Sequence, residues 1–500
     1  MKSVLSIPWI STLYRLILSL GAAGAAACAI TYPTCWFLAP LALGVWVYLV
    51  WSARSWKTAL GHGLVFGLTT ACAGIWWFWD TLPLDWIGLS HGPNQTYFVF
   101  ASVWPVALVL GLAIVPATLL LWLIRAHPLR ALALVPLWVM TEELRMWNFS
   151  FLTYAERSLL GPHFSTVSLG YALAENHYVL QLAAFGGVAA LNAAVAVGAG
   201  FTALLLARKE RTAAMTFALC LVLVCLTLPL VAPRPLLKGA PMSVVLIQTD
   251  IAVGQTEAVG LSFTELVRKA HDTYPKASLI VLPEERLLEP TFTSLEAKKR
   301  FFKDTFGRDD VVVVHSEHEV FGKGMQNALI YVSAQGGQLG KYRKMFLMPG
   351  GEYMPYLMTA VFSLRPDHGL GNYMDRLPSM RIEPSGLVTV PFKGHVLGGL
   401  ICSDVLSPQL YRFLVREHGA TLLINSANPA WFHHSRALFD KTIQMAKVHA
   451  VENRTYYLQS SNGSPAFAVD PYGSVRAMTT GPDTQLLEVA IPGTNVHAAP

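Results

Sequence analysis

The hydrophobic positions along this chain follow two rhythms. Up to about residue 231 they come as long uncharged runs, each close to the roughly 20 apolar residues that a helix needs to cross a bilayer. From about residue 242 they shorten into strand-length runs that alternate with amphipathic stretches. The first rhythm predicts about seven spans, near 14–32, 35–52, 60–80, 97–124, 131–148, 178–207 and 212–231. The second predicts strands over 243–248, 277–282, 310–315, 328–333, 387–390, 395–401, 421–425, 456–459, 465–469 and 486–489. Helices are predicted over 262–274, 408–418 and 436–453. The chain therefore reads as a membrane α-helical bundle over 1–232 followed by an α/β layered domain over 242–492, with a Pro-containing linker between them.

Composition agrees with that division. The chain has 500 residues, 53% hydrophobic and only 14% charged, which is too apolar for a wholly soluble protein. Its net charge of +6 belongs largely to span ends. If the N-terminus is cytoplasmic, Lys2, Arg54, Lys57, Arg125, Arg130, Arg208, Lys209 and Arg211 all fall on the cytoplasmic side. An odd number of spans then delivers the α/β domain to the outer face. No basic run interleaved with aromatics occurs, so no nucleic-acid partner is expected.

The candidate chemistry lies in the α/β half. Cys28, Cys35, Cys72, Cys220 and Cys225 sit in or beside apolar spans, which leaves Cys402 as the single cysteine of the second domain. It ends the run 396–401, and Glu284 follows the run 277–282 in the same way. Open α/β sheets place their sites at such strand ends. Lys344 lies between them in sequence. A carboxylate to take a proton, a thiolate to attack a carbonyl and a cation to hold the oxyanion are the parts of nucleophilic acyl transfer. Each residue also admits a plain reading: Cys402 as core packing, Glu284 as a surface carboxylate beside Glu285 and Arg286, Lys344 as one loop cation among Lys341 and Arg343. His315 with His318, and His433 with His434, lack a third ligand, so no metal or cofactor is expected.

Together these residues carry a family resemblance. Pro283-Glu284, Tyr342-x-Lys344 with Pro349-x-Gly351-Glu352, and Ile401-Cys402 resemble the Glu-Lys-Cys triad of the nitrilase superfamily. With Asn428-Pro-Ala-Trp431-Phe432, Gln444-Met-Ala446, Glu452, Ser461-Asn-Gly463 and the spanning half, the chain is similar to the apolipoprotein N-acyltransferase family. The resemblance implies a nitrilase-like α-β-β-α sandwich on the periplasmic side of a bacterial inner membrane, acting as a monomer without a cofactor. It implies that Glu284 deprotonates Cys402 and that the thiolate takes an acyl chain from a phospholipid donor. Lys344 and the backbone N–H after Cys402 would hold the oxyanion, and the α-amine of a diacylglyceryl-cysteine on a lipoprotein acceptor would then take the chain. Glu352, Ser403, Asp404, Asn428 and Trp431 would be supporting or pocket residues.

The chain departs from that pattern in places. Ser403-Asp404 stands where the family carries Tyr-Glu, and Phe346-Leu-Met-Pro-Gly-Gly-Glu352 lacks a histidine and an aromatic. No span is expected after the second domain. These departures leave open an accessory protein of a conjugative-transfer or envelope-assembly system, or a membrane-tethered amidase. Trp76, Trp77, Phe78, Trp79 and Trp86 read as an interfacial belt or as the wall of an acyl site. Glu142, Glu143 and Arg145, near a span end, read as a mutual ion pair, as snorkelling side chains or as part of a site, and the segment 148–178 as cover over an entrance from the bilayer.

Overall fold

In the computed structural model the described residues are 8–84, 92–156, 158–207, 241–252, 262–284, 292–321, 324–363, 379–380 and 386–493. The first half is a bundle of α1 (Pro8–Thr31), α2 (Leu38–Trp51), α3 (Trp56–Gly74), α4 (Pro93–Leu112), α5 (Ile114–Leu123), α6 (Arg130–Leu152) and α7 (Gly187–Leu206). Four stretches among the described residues are long and apolar enough to cross a membrane: Thr12–Thr31, Trp56–Thr81, Gln95–Leu123 and Gly187–Leu206. The expected span at 212–231, the linker up to 240 and Trp86 lie outside the described residues. Leu13, Ile17, Leu20, Phe100, Trp104, Leu108, Leu123 and Met140 point outward, as lipid-facing side chains do. Inside, the Arg145 guanidinium bonds Glu142 Oε1 at 2.9 Å within α6, and the Thr70 hydroxyl at 3.0 Å, which joins α6 to α3.

One span begins later than its hydrophobicity predicts. Residues 177–185 form a short helical turn (His177–Leu180) and a 3₁₀ turn (Gln181–Phe185), and α7 starts only at Gly187. The polar tips explain the break: Gln181 donates to the Tyr472 carbonyl and accepts from Arg454 at 2.8 Å, both in the second half. Gln181 belongs to a saddle over 158–186 on which the second domain sits.

That domain is a two-sheet sandwich. Its strands are β1 (Met242–Thr249), β2 (Leu279–Val281), β3 (Val312–Phe321), β4 (Gly324–Ser333), β5 (Gln338–Arg343), β6 (Ser379–Met380), β7 (Thr389–Phe392), β8 (His395–Ile401), β9 (Leu422–Ala427), β10 (Tyr456–Asn462), β11 (Phe467–Val469), β12 (Val475–Met478) and β13 (Gln485–Ile491). One half-sheet runs β13-β1-β2-β3-β4-β5 and the other β12-β11-β10-β9-β8-β7. Among the described residues they join at the tip of β1, where Gln248 and Thr249 pair with Ser461 and Asn462. The central strands β1, β2, β9 and β10 pair in parallel and are buried along almost their whole length, because both faces are covered.

The inner faces meet tightly. A Cβ on Gly399 of β8 would come within 2.3 Å of Leu329 Cδ2 on β4, so glycine sets the sheet separation at that point. Helices α8 (Phe263–Thr273) and α9 (Leu295–Phe306) cover the first half-sheet, with Phe263, Val267 and Phe302 packed on Val245, Ile280 and Val313. Helix α10 (Tyr356–Ser363) follows β5. Helices α11 (Pro408–Arg416) and α12 (Arg436–Asn453) cover the second half-sheet, where Tyr411 stacks on His449 at 4.4 Å. This is the α-β-β-α order that the resemblance implies. Ser262, Ser294, Ser407 and Ser435 cap the N-termini of α8, α9, α11 and α12.

Helix α12 lies between the sandwich and the saddle. Lys447 pairs with Glu175 at 2.8 Å, and the Glu452 carboxylate receives Arg412 Nε at 2.7 Å. Glu452 also closes over the start of α7: a Cβ on Gly187, whose φ is +59°, would lie 2.4 Å from its Oε2. The left-handed backbone there costs a side-chain-bearing residue about 1–2 kcal/mol even without that overlap. Gly187→Ala is therefore expected to lower the thermal unfolding temperature of the detergent-solubilised protein. Adding Glu452→Ala should restore part of the loss, because it removes the overlap but not the strain. Simple additivity of the two substitutions would refute this account of the junction.

Candidate functional site

The site forms where three strand ends converge. Leu282-Pro283-Glu284 leaves β2, Lys344 leaves β5 and Cys402 leaves β8. Cys402 opens a 3₁₀ turn (Cys402–Leu406) with φ of +45°, in a region that non-glycine residues seldom enter. Backbone of this kind persists only where its surroundings over-determine it.

The main restraint is Asp404. Its fully buried carboxylate accepts the Ile401 N–H at 2.9 Å and the Tyr342 hydroxyl at 2.8 Å on Oδ2, and the Phe346 N–H at 2.9 Å on Oδ1. Burial raises its pKa to about 6, against the opposing pull of these backbone donors and of Lys344. Ser403 completes the buckle, its hydroxyl donating to the Phe346 carbonyl at 2.6 Å. The Ser-Asp pair thus ties the segment after the cysteine to the segment after the lysine. Neither bond requires the aromatic that the family pattern carries at residue 403.

Lys344 is buried among carboxylates. Its backbone N–H is held by the Asn327 carbonyl, and its Nζ lies 3.2 Å from Glu284 Oε1 and 2.7 Å from Glu352 Oε1. Glu352 is fixed from behind, its Oε2 accepting the Met348 N–H at 2.7 Å. The Asn327 amide donates to Glu284 Oε1. Burial alone would lower the Lys344 pKa, but Glu284 and Glu352 outweigh it and hold the ammonium well above its usual range. Burial pushes the Glu284 carboxyl up, opposed first by Lys344. Burial also pushes the Cys402 thiol well above its ordinary range; Glu284 adds to the rise, while Lys344 and a hydrogen bond from the Asn428 backbone oppose it. Burial and the neighbouring carboxylate thus favour the thiol form over a preformed thiolate.

Beside the sulfur opens a cavity of about 650 Å³, including its mouth. Trp77 from the first half and Phe432 from the second meet edge to face at 5.1 Å across it, and Leu406, Leu438 and Phe439 line it further in. Of the two readings of the tryptophan cluster, Trp77 matches the wall. The mouth is tied across the halves: His433 meets the Pro83 carbonyl at 3.1 Å, and Ser435 Oγ donates to Asp80.

Glu284, Lys344, Cys402 and Glu352 come together as the sequence suggests. Ser403 lines the cavity and Asp404 lies behind it as a strut. Asn428 caps the turn Pro429–Phe432 through its Oδ1, which accepts the Ala430 N–H at 3.2 Å. Trp431 is not among the cavity-lining residues; its neighbour Phe432 is. Sequence reasoning missed Asn327 and the structural part played by Tyr342. The second was readable, since Tyr342 and Lys344 are two apart and residues at that spacing on a strand share a face.

A covered two-sheet sandwich with a strand-end cysteine beside a carboxylate-bound lysine, docked on apolar helices, defines a nitrilase-type protein with a membrane-embedded half. The chain belongs to the carbon-nitrogen hydrolase family, whose model matches residues 244–499. It is similar to the apolipoprotein N-acyltransferase of Geobacter metallireducens, 28% identical over 65% of this chain and 63% of that protein. The chain thus matches under two thirds of that relative's length. It is also similar to the apolipoprotein N-acyltransferases of Allorhizobium ampelinum, 27% identical over 84% of this chain and 78% of that one, and Ralstonia nicotianae, 25% over 88% and 81%. Among solved structures, yeast Nit3 of the nitrilase superfamily aligns with 52% of this chain and 93% of its own, at 17% identity and a TM-score of 0.38.

Two measurements test the geometry. Asp404→Asn turns an amide donor toward three donors and leaves at least one unpaired, at a cost of about 1–3 kcal/mol. A lowered unfolding temperature is expected, and an unchanged one would dismiss the strut. Alkylation of Cys402 by iodoacetamide, followed by peptide mass spectrometry, should keep accelerating above pH 9, because the raised thiol pKa places thiolate formation beyond the ordinary value of about 8.5. A plateau near neutral pH would mean that Lys344 dominates.

Proposed function

We propose that the protein is an N-acyltransferase that moves a fatty acyl chain from a membrane phospholipid, through a thioester on Cys402, to the terminal amine of an apolipoprotein's diacylglyceryl-cysteine. The observation that carries this reading is the composition of the cavity beside Cys402: Trp77 from the apolar helical half walls it together with Phe432 from the sandwich. A thiol site built for small soluble amides has no need of such a wall, whereas an acyl chain rising from a bilayer does. The named relatives are N-acyltransferases, which agrees.

The chemistry follows from the groups present. Glu284 takes the proton from Cys402 Sγ as the sulfur attacks the ester carbonyl. Lys344, held charged by its two carboxylates, and the Ser403 backbone N–H stabilise the tetrahedral oxyanion. Collapse breaks the ester C–O bond, and Glu284 returns the proton to the departing lysophospholipid alkoxide. The acceptor amine then attacks the thioester carbonyl, gives its proton to Glu284 and forms the amide, and the sulfur leaves and is reprotonated. Burial raises the proton affinity of Glu284 above that of an ordinary carboxylate, which makes it a better base for the thiol and lets one carboxyl act in both directions. The apolar cavity keeps water from the thioester so that the amine prevails.

Orientation is supported by the charges. Arg15 bonds the Ser52 carbonyl, Arg125 lies over the Trp122 ring and Arg130 over Trp51, at the ends of helices away from the sandwich. Basic residues collect on the cytoplasmic side, so the sandwich faces the periplasm of an inner membrane.

The test is to incubate the purified protein with phospholipid bearing a labelled acyl chain and to look for a thioester on the Cys402 peptide. Cys402→Ala should abolish the adduct, and Glu284→Gln should slow its formation by about 10²–10⁴-fold. Loss of one oxyanion donor in Lys344→Met should cost about 10²–10³-fold. No adduct on the wild type, where a known N-acyltransferase is labelled, would defeat the proposal.

A further inference from the structure

A second cavity, of about 380 Å³ including its mouth, shares no lining residue with the one beside Cys402. Its walls include Ser102 and Val106 of α4, Leu152 and Thr153 at the end of α6, and Leu357 and Met358 of α10. A helix of the second half thus roofs a gap between two helices of the first. The α4 wall belongs to the stretch Gln95–Leu123, which is long and apolar enough to cross a membrane. Next to the lining positions, the same two helices turn Phe100 with Trp104 and Trp147 with Phe151 outward, the rings of each pair at 5.5 and 5.6 Å. Such rings collect where the hydrocarbon of a bilayer meets water. Leu357 is exposed, so the cavity opens outward.

The lining decides what can fill this gap. Its two hydroxyls are turned back on their own helices, Ser102 donating to the Phe98 carbonyl and Thr153 to the Phe149 carbonyl, each at 2.8 Å. The remaining lining side chains are hydrocarbon or thioether. Ordered water needs about two to four polar partners, which these side chains do not offer. An empty gap would forfeit the dispersion contacts of its walls. The material at hand beside a spanning helix is lipid hydrocarbon, and the volume falls within the roughly 300–1,000 Å³ of ligand pockets.

The roof of the cavity continues the loop that follows Lys344. The Tyr353 hydroxyl donates to the Thr153 carbonyl at 2.9 Å and the Tyr356 N–H to the Tyr154 carbonyl at 3.1 Å, which fastens the start of α10 to the end of α6. Met358 reaches back along this loop, so that a Cβ on Gly350 would lie 3.3 Å from its Cε. Two residues to either side of Gly350 are Met348, whose N–H holds Glu352, and Glu352, which holds Lys344. One side of the loop meets the second cavity, and the other lines the first through Met348.

We propose that the cavity between α4, α6 and α10 binds one acyl chain of a bilayer phospholipid, which acts as a wedge rather than as acyl donor and steadies the loop carrying Glu352. Binding there involves no bond to Cys402 and is independent of thioester formation.

The experiment titrates the full chain in detergent micelles with a phosphatidylethanolamine that carries a diazirine midway along one acyl chain, followed by photolysis and peptide mass spectrometry. Adducts on Ser102, Val106 and Met358 are expected to saturate near one lipid per protein, whereas adducts on the outward Leu13 and Ile17 of α1 keep rising. Val106→Trp, which fills the cavity from α4, should lower the first set by about tenfold and leave the second unchanged. Amide exchange across residues 348–358 should slow severalfold as the wild type fills and should not respond to lipid in the variant. Saturation must also persist in Cys402→Ala; its loss there would make the bound lipid the donor and overturn the second site. Parallel rise of both sets of adducts means contact with bulk lipid only and overturns the site. Saturation with unchanged exchange overturns the wedge. The wild-type titration decides whatever the stability of Val106→Trp.

Discussion

The site depends on a buried carboxylate that takes no part in the chemistry. Asp404 gathers donors from Ile401, Tyr342 and Phe346, which belong to the end of β8, the end of β5 and the loop beyond it. An anion buried without partners would be prohibitively costly, and three donors satisfy it only when those segments meet in one arrangement. That arrangement sets the left-handed backbone at Cys402 and brings Lys344 beside it. The strain at the cysteine and the convergence of the lysine have one cause.

The charge balance around Lys344 follows. Two carboxylates, Glu284 and Glu352, share one ammonium in a pocket that excludes most water. The surplus negative charge opposes a thiolate on Cys402. A thiol kept protonated is also less open to oxidation, because the thiolate is the form that oxidants attack.

Much of this was legible in the sequence. Apolar runs of bilayer length, short strands between amphipathic helices and three chemically matched residues at strand ends led to the two halves and to Glu284, Lys344 and Cys402. Missed elements had weaker signals. Helix α9 begins with Ser294 and ends at Gly307, a cap at each end, but its Lys-rich sequence hides three buried phenylalanines. The late start of α7 was hidden because residues 177–185 are mostly apolar; the chain breaks at Gly186-Gly187, and Arg454 and Tyr472, far along the chain, bond Gln181 outside the helix. Asn327 gave no local sign, since its importance lies in touching Glu284 from a strand 43 residues away. Contacts between distant segments leave no periodicity to read.

The Ser403-Asp404 pair shows how a departure from a family pattern can be absorbed. The shorter carboxylate reaches its donors because Tyr342 extends a hydroxyl toward it, and the serine, having no ring to place, bonds the Phe346 carbonyl instead. The wall that an aromatic at 403 would have formed is supplied from elsewhere, by Phe432 and by Trp77 of the helical half. Moving an aromatic wall from the nucleophile's own turn to the partner half makes the cavity a joint product of both domains. Its shape then depends on the docking through the saddle, where Ser165 and His163 bond Leu406 and Ser407 at the end of the cysteine turn. A displacement of the helical half would therefore reach the sulfur through the turn that carries it, which makes the membrane half part of the site's architecture as well as its anchor.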